Sequence, residues 1–213
     1  MGTARIIRHI GFCIFAVVTT LALCRLVDSK HLMQGISIST AYVSLLYFAG
    51  ALLIGPIYLL LSRKTPISIY LRRDLGIWSA ILAVIHTIVG LQVHLGGNFI
   101  NYFIYPADKP HIIPVRYDPF GLTNYLGLVC TIIMIVLLIL SNNRALGILG
   151  AVKWKRWQRS TYFLLAAIPI HGLVYQILEK RTGLYTMSML AIIMICTGFQ
   201  ISGIFKYRNK IPA

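Results

Sequence analysis

Apolar residues in this chain come in long uncharged runs separated by short clusters of charge. Leu75–Val93 and Ser160–Leu178 are two such runs. About 20 apolar residues suffice to cross a hydrocarbon core roughly 30 Å thick. In lipid every backbone polar group must be satisfied within the structure, so such runs are helices. The pattern predicts six spans, over about residues 9–27, 40–61, 73–95, 120–141, 156–178 and 184–205. Gly55-Pro56 is expected to kink the second near its end. The longest connection, 96–119, holds Gly96-Gly97 and four prolines that break any helix, and aromatic residues that suit a membrane interface. The expected fold class is all-α, a polytopic membrane bundle of six transmembrane helices in a single domain.

Composition agrees. The chain is 58% hydrophobic and 12% charged, about half the charge of a soluble domain. The net charge of +15 would suggest nucleic acid on a soluble chain. Here the charges lie between apolar runs, so topology and membrane lipid account for them and no nucleic-acid partner is expected. With six spans both termini lie on one side, and that side carries 14 of the 20 basic residues and one acid, Asp74. The positive-inside rule makes it cytoplasmic. The run Ile10–Cys24 has the charge pattern of a signal peptide, but no small-residue cleavage site follows, so it reads as an uncleaved first helix. Cys13, Cys24, Cys130 and Cys196 all fall inside apolar runs and read as small buried hydrophobes.

The candidate chemistry is a pair of histidines. His86 lies 14 residues beyond Arg72, and His171 lies 13 beyond Gln158. At 1.5 Å per residue these are about 21 and 20 Å along two helices that run in the same direction. The two imidazoles are therefore expected at one depth, in the outer half of the bilayer. Intramembrane histidines are expensive and read as functional. Ala83 and Gly90 share a face with His86, and Ala167 shares one with His171, leaving room for a flat ligand. Pro169 is expected to bend the helix just before His171. Haem with histidine on both axial positions fits this pattern. Zinc, which prefers three or four ligands, and simple cross-helix hydrogen bonding are the alternatives. His94 reads as an interface residue near a haem propionate. His9, His31 and His111 read as ordinary surface histidines.

Two segments carry a resemblance. One is Arg72-Arg73-Asp74-Leu75-Gly76 running into Ile85-His86. The other is Trp154-Lys155-Arg156-Trp157-Gln158-Arg159-Ser160-Thr161-Tyr162 running into His171, preceded by Leu140-Ser141-Asn142. With the six-span layout they resemble the ferric-reductase-like transmembrane domain family over roughly residues 40–205. Within it they are most similar to the haem-binding membrane subunit of the bacterial periplasmic methionine-sulfoxide reductase system. The resemblance implies haem b between the third and fifth spans, with His86 and His171 as axial ligands of its iron. Two-haem members of the family have a second, inner histidine pair. Arg72 and Gln158 stand at those positions here, which implies one haem and leaves these two to border a quinone, a flavin or a differently ligated haem.

The resemblance further implies a multi-pass protein of the bacterial inner membrane. It would pass electrons from a cytoplasmic flavin or quinone donor to an extracytoplasmic acceptor, with separate donor and acceptor proteins and no activity alone. The sequence beyond the sixth span is too short for a flavin or nicotinamide domain. The basic stretch Arg144–Arg159 and the 96–119 connection are candidate docking surfaces. A haem-free scaffold or assembly protein with the same fold is the alternative. A small transporter is a weaker one, because acids are confined to span ends and no internal repeat occurs.

Overall fold

Six helices in the computed structural model, which describes residues 2–27, 31–61, 69–107, 111–181 and 183–208, are long and apolar enough to cross a membrane. They belong to the elements α1 (Thr3–Leu26), α2 (Leu32–Leu60), α3 (Ile69–Gly90), α4 (Pro119–Ile139), α5 (Asn143–Gln158), α6 (Ser160–Leu178) and α7 (Leu184–Arg208). The chain is thus an all-α six-helix membrane protein, with α5 continuing into α6 across Arg159. Arg63, Lys64 and Lys210, counted on the basic side, lie outside the described residues, as do Asp28, Pro66 and Pro110.

Three of the differences between the expected spans and the helices have a local cause. Helix α2 begins eight residues before the expected position, because Gln34, Ser37, Ser39 and Thr40 dilute the apolar run without breaking the helix. Ser39 and Thr40 are nonetheless buried, and the Thr40 hydroxyl donates back to the Ile36 and Ser37 carbonyls. Helix α3 ends at Gly90 rather than near residue 95. The hydroxyl of Tyr102, only 1% exposed, donates to the Gly90 and His94 carbonyls and accepts from the His94 amide. It thereby takes over groups that another helical turn would have used. Leu95, Gly96 and Gly97 follow with positive φ. The third difference is α5, expected only as a basic segment. Asn142 caps it, accepting from the Ala145 amide, and it bends at Gly150, whose φ of 71° suits glycine.

Helices α2, α3, α4, α6 and α7 form a closed ring, each packed on the next and α7 back on α2. Helix α1 lies outside, against α2 and α3. The α2–α3 contact is tight because small hydroxyls face one another. Ser44 Oγ donates to the Ser79 carbonyl and Ser79 Oγ to the Ser44 carbonyl, at 2.9 and 3.0 Å. Helix α7 approaches α2 at Gly203, where a Cβ would stand 3.2 Å from Pro56, so α2 runs through its proline against a helix with nothing to clash.

Charge is concentrated where α1 and α3 meet. Asp74 has no exposed surface, and its carboxylate accepts from Arg5 and Arg8. His9 joins them: its Nδ1 accepts from the Trp78 indole and its Nε2 lies 3.3 Å from Asp74. His9 is therefore a half-buried member of the polar cluster around Asp74, and the reading of it as an ordinary surface histidine is corrected here. Toward this basic end the ring is filled by a core that includes Leu52, Leu137 and Leu164. On the opposite rim, Arg116 and Asp118 pair at 2.9 Å, and Asp118 caps α4 through the Gly121 amide. The Arg116 hydrogen bond holds the Asp118 carboxyl below the usual carboxylate range.

Candidate functional site

Away from the basic end the interior opens into a cavity of about 420 Å3. That lies within the range of roughly 300–1,000 Å3 usual for small-molecule and cofactor sites. Its walls come from all five helices of the ring, including Leu45 and Phe48 of α2, Met134 of α4 and Met189 of α7. Helices α3 and α6 face each other across it without backbone contact. What spans the gap is side chain: the His86 and His171 rings lie with centroids 6.4 Å apart and planes crossed at 83°.

Each imidazole is fixed from behind by a neighbouring helix. His86 Nδ1 lies 2.8 Å from the Ser37 carbonyl on α2. His171 Nδ1 lies 2.8 Å from the Thr123 carbonyl on α4. A carbonyl only accepts, so each Nδ1 carries a proton and donates it. In the neutral ring this leaves Nε2 with its lone pair, and among the described residues neither Nε2 has a hydrogen-bond partner. Such backbone-anchored Nδ1–H groups are the usual support of a metal-ligating histidine.

Metal–imidazole bonds are about 2.0–2.1 Å long, so rings 6.4 Å apart are close enough to share one ion. No third His, Cys, Asp or Glu converges on the pair among the described residues. The donor set therefore suits an ion whose remaining ligands come with it, as in a porphyrin, better than zinc. Small residues keep the space clear. A Cβ on Gly127 would stand 2.5 Å from His171 Cε1, so the ring rests directly on the α4 backbone. A Cβ on Gly90 would stand 3.3 Å from Ser37 Oγ, beside the anchor of His86.

Of the residues singled out in the sequence, His86, His171, Ala83, Gly90 and His94 line the cavity. Ala167 does not. It is 3% exposed and packs in the apolar core with Leu164 and Met134, so its expected place beside the ligand is corrected to a helix-packing role. Arg72 and Gln158 are also away from the cavity. Arg72 is exposed and reaches the α2 backbone, with Nη1 3.7 Å from where a Gly55 Cβ would stand. Gln158 ends α5, with its Nε2 buried and unpartnered.

The mouth of the cavity is polar. His94 Nε2 lies 3.3 Å from Glu179, which also accepts from Arg181, and the His94 ring stacks on Tyr175. Burial pushes the His94 imidazole below its ordinary range; Glu179 opposes this and Arg181 adds to it. Tyr175 packs against His171 and donates to Asn124. Sequence reasoning did not find Ser37, Thr123, Gly127 or Tyr175. The anchors act through backbone carbonyls, which leave no side-chain signal. Gly127 sits in a span where one more small residue means nothing until its neighbour is known.

Comparisons of the chain with family models, with curated proteins and with solved structures return no match.

Proposed function

We propose that the protein is a haem b-binding electron-transfer subunit of a bacterial plasma membrane. The observation that carries this is the histidine pair: two rings 6.4 Å apart on facing helices, each with Nδ1 committed to a carbonyl and Nε2 left free. His86 and His171 would hold the iron, and bound haem supplies one-electron chemistry, cycling between ferric and ferrous iron. With two protein ligands on the iron, such a group would serve electron transfer and not oxygen binding. The resemblance to ferric-reductase-like membrane domains points the same way.

The chain's own residues set the conditions. Ser37 and Thr123 fix the tautomer and orientation of the two ligands, which limits movement between redox states. Phe48, Leu45, Met134 and Met189 give the cavity an apolar wall, and an apolar surrounding of this kind tunes a haem potential. His94 and Arg181, which line the mouth, are placed to meet the carboxylates of a porphyrin. One site is proposed, not two. Neither Arg72 nor Gln158 lines the cavity, and the core toward the basic end includes Leu52, Leu137 and Leu164. Donor and acceptor are separate molecules, a flavoprotein or quinone on one side and an extracytoplasmic redox protein on the other.

The test is haem content. Protein purified from haem-replete cells is expected to carry one reducible b-type haem per chain by pyridine haemochrome assay. A stable, folded and colourless preparation would remove the electron-transfer reading and leave the scaffold.

A further inference from the structure

Arg73 is a buried cation with no anion beside it among the described residues. Its side chain sits near the start of α3 and is 8% exposed. Nη1 donates to Asn143 Oδ1 at 2.6 Å, a neutral acceptor. Nε is buried and has no partner. The guanidinium lies against the rings of Tyr70 and Trp154, its Cζ 5.9 Å from each centroid. Those faces solvate a cation in part but do not neutralise it.

The carboxylate next door is already spoken for. Asp74 is the sole acid in the sequence on this side, and Arg5, Arg8 and His9 surround it. Leaving a buried charge uncompensated is costly. A second donor is stranded in the same way on α5, the helix that carries Trp154. Gln158 lies one turn after Trp154 on α5, on the same face, and its Nε2 is buried without a partner. Both stranded groups are donors, so the missing partner is an acceptor, and beside a guanidinium it is an anion.

We propose that Arg73, with Gln158, forms a site for a phosphate oxyanion at the basic rim, filled in the membrane by the phosphate of an anionic phospholipid. The position selects this ligand. Arg73 is at the basic end of a membrane-spanning helix, at headgroup level, and the exposed cations Arg72, Arg144, Lys155 and Arg156 are its neighbours in sequence or those of its contacts Asn143 and Trp154. Basic pockets between helices on the cytoplasmic side hold anionic headgroups, and an Arg edge matches two phosphate oxygens at once. The bound lipid would tie α3 to α5, whose remaining contacts are few. The site is independent of the histidine pair and of what that pair holds.

The experiment uses the full chain, delipidated in detergent, with three probes: phosphatidylglycerol, phosphatidylcholine and inorganic phosphate. Native mass spectrometry reads the retained lipid, and thermal shift reads stabilisation. Wild type is expected to retain a single phosphatidylglycerol and no phosphatidylcholine. Arg73→Gln is expected to weaken that binding roughly tenfold or more, the scale of one lost charge-assisted contact. Arg144→Gln, which removes the same charge from the exposed rim, is expected to leave it nearly unchanged. If Arg73→Gln does not fold, Gln158→Leu in the same assay carries the test, with weaker retention expected. Equal losses in the Arg73 and Arg144 variants would overturn the proposal in favour of diffuse rim charge. Stabilisation by inorganic phosphate equal to that by the lipid would overturn the lipid as occupant and assign a soluble phosphoester.

Discussion

The His171 imidazole rests on Gly127 so closely that a single added methyl group would stand 2.5 Å from Cε1. Helix α4 therefore touches His171 twice, through the Thr123 carbonyl one turn earlier and through the bare backbone of Gly127. Gly127→Ala ought to favour the helix by propensity alone, by about 1 kcal/mol. The reverse is expected at the site: a displaced ring and a several-fold fall in haem per chain, with helix content unchanged by circular dichroism. Unaltered haem content in this variant would show that the ring position is not constrained as described.

Asp74 is buried under three cationic or potentially cationic partners. Asp74→Asn removes the carboxylate and leaves Arg5 and Arg8 facing a neutral amide. Breaking a buried charge pair from one side costs about 3 kcal/mol. A clear fall in the detergent melting temperature is expected, with helix α1 the first element to loosen. Hydrogen exchange over residues 3–26 would report it.

The architecture was legible in the sequence because lipid imposes one rule on every span, and run length with flanking charge encodes it directly. The equal depth of His86 and His171 was legible too, since it needs only helix direction and rise. What was not legible depends on contacts across the fold. The early start of α2 hides behind polar residues whose burial against α3 cannot be read from one strand of text. The end of α3 is set by Tyr102, twelve residues past Gly90. Ala167 shares a helical face with His171 by spacing, yet the ring of helices turns it into the packed core. Arg73, not its neighbour Arg72, is the buried arginine, a difference of 100° around one helix.

Tyr102→Phe tests the helix terminus. The hydroxyl serves three backbone groups at Gly90 and His94, all at 2.8–3.1 Å. Its removal is expected to cost about 1 kcal/mol or somewhat more. Faster amide exchange at residues 91–97, with α3 itself protected, is the signature to measure.

His94 gives a pH dependence with a definite sign. Burial holds its folded-state pKa below the ordinary value, so the fold prefers the neutral ring. Above the unfolded-state pKa of about 6.5 both states are neutral and this stability is fully present. As pH falls below that value the unfolded state takes up the proton first, and stability is lost until the folded-state pKa is passed. His94→Gln is expected to flatten this slope in a plot of melting temperature against pH below about 6.5. An unchanged slope would place the titration elsewhere.

The central claim is that His86 and His171 grip one iron, and electron paramagnetic resonance of the oxidised protein tests it most directly. Wild type is expected to give a low-spin signal of bis-imidazole type. His86→Ala and His171→Ala should each lose that signal, through haem loss or conversion to high spin, and added imidazole should restore it in any protein that retains haem. A low-spin bis-imidazole signal that survives either substitution without added imidazole would contradict the account.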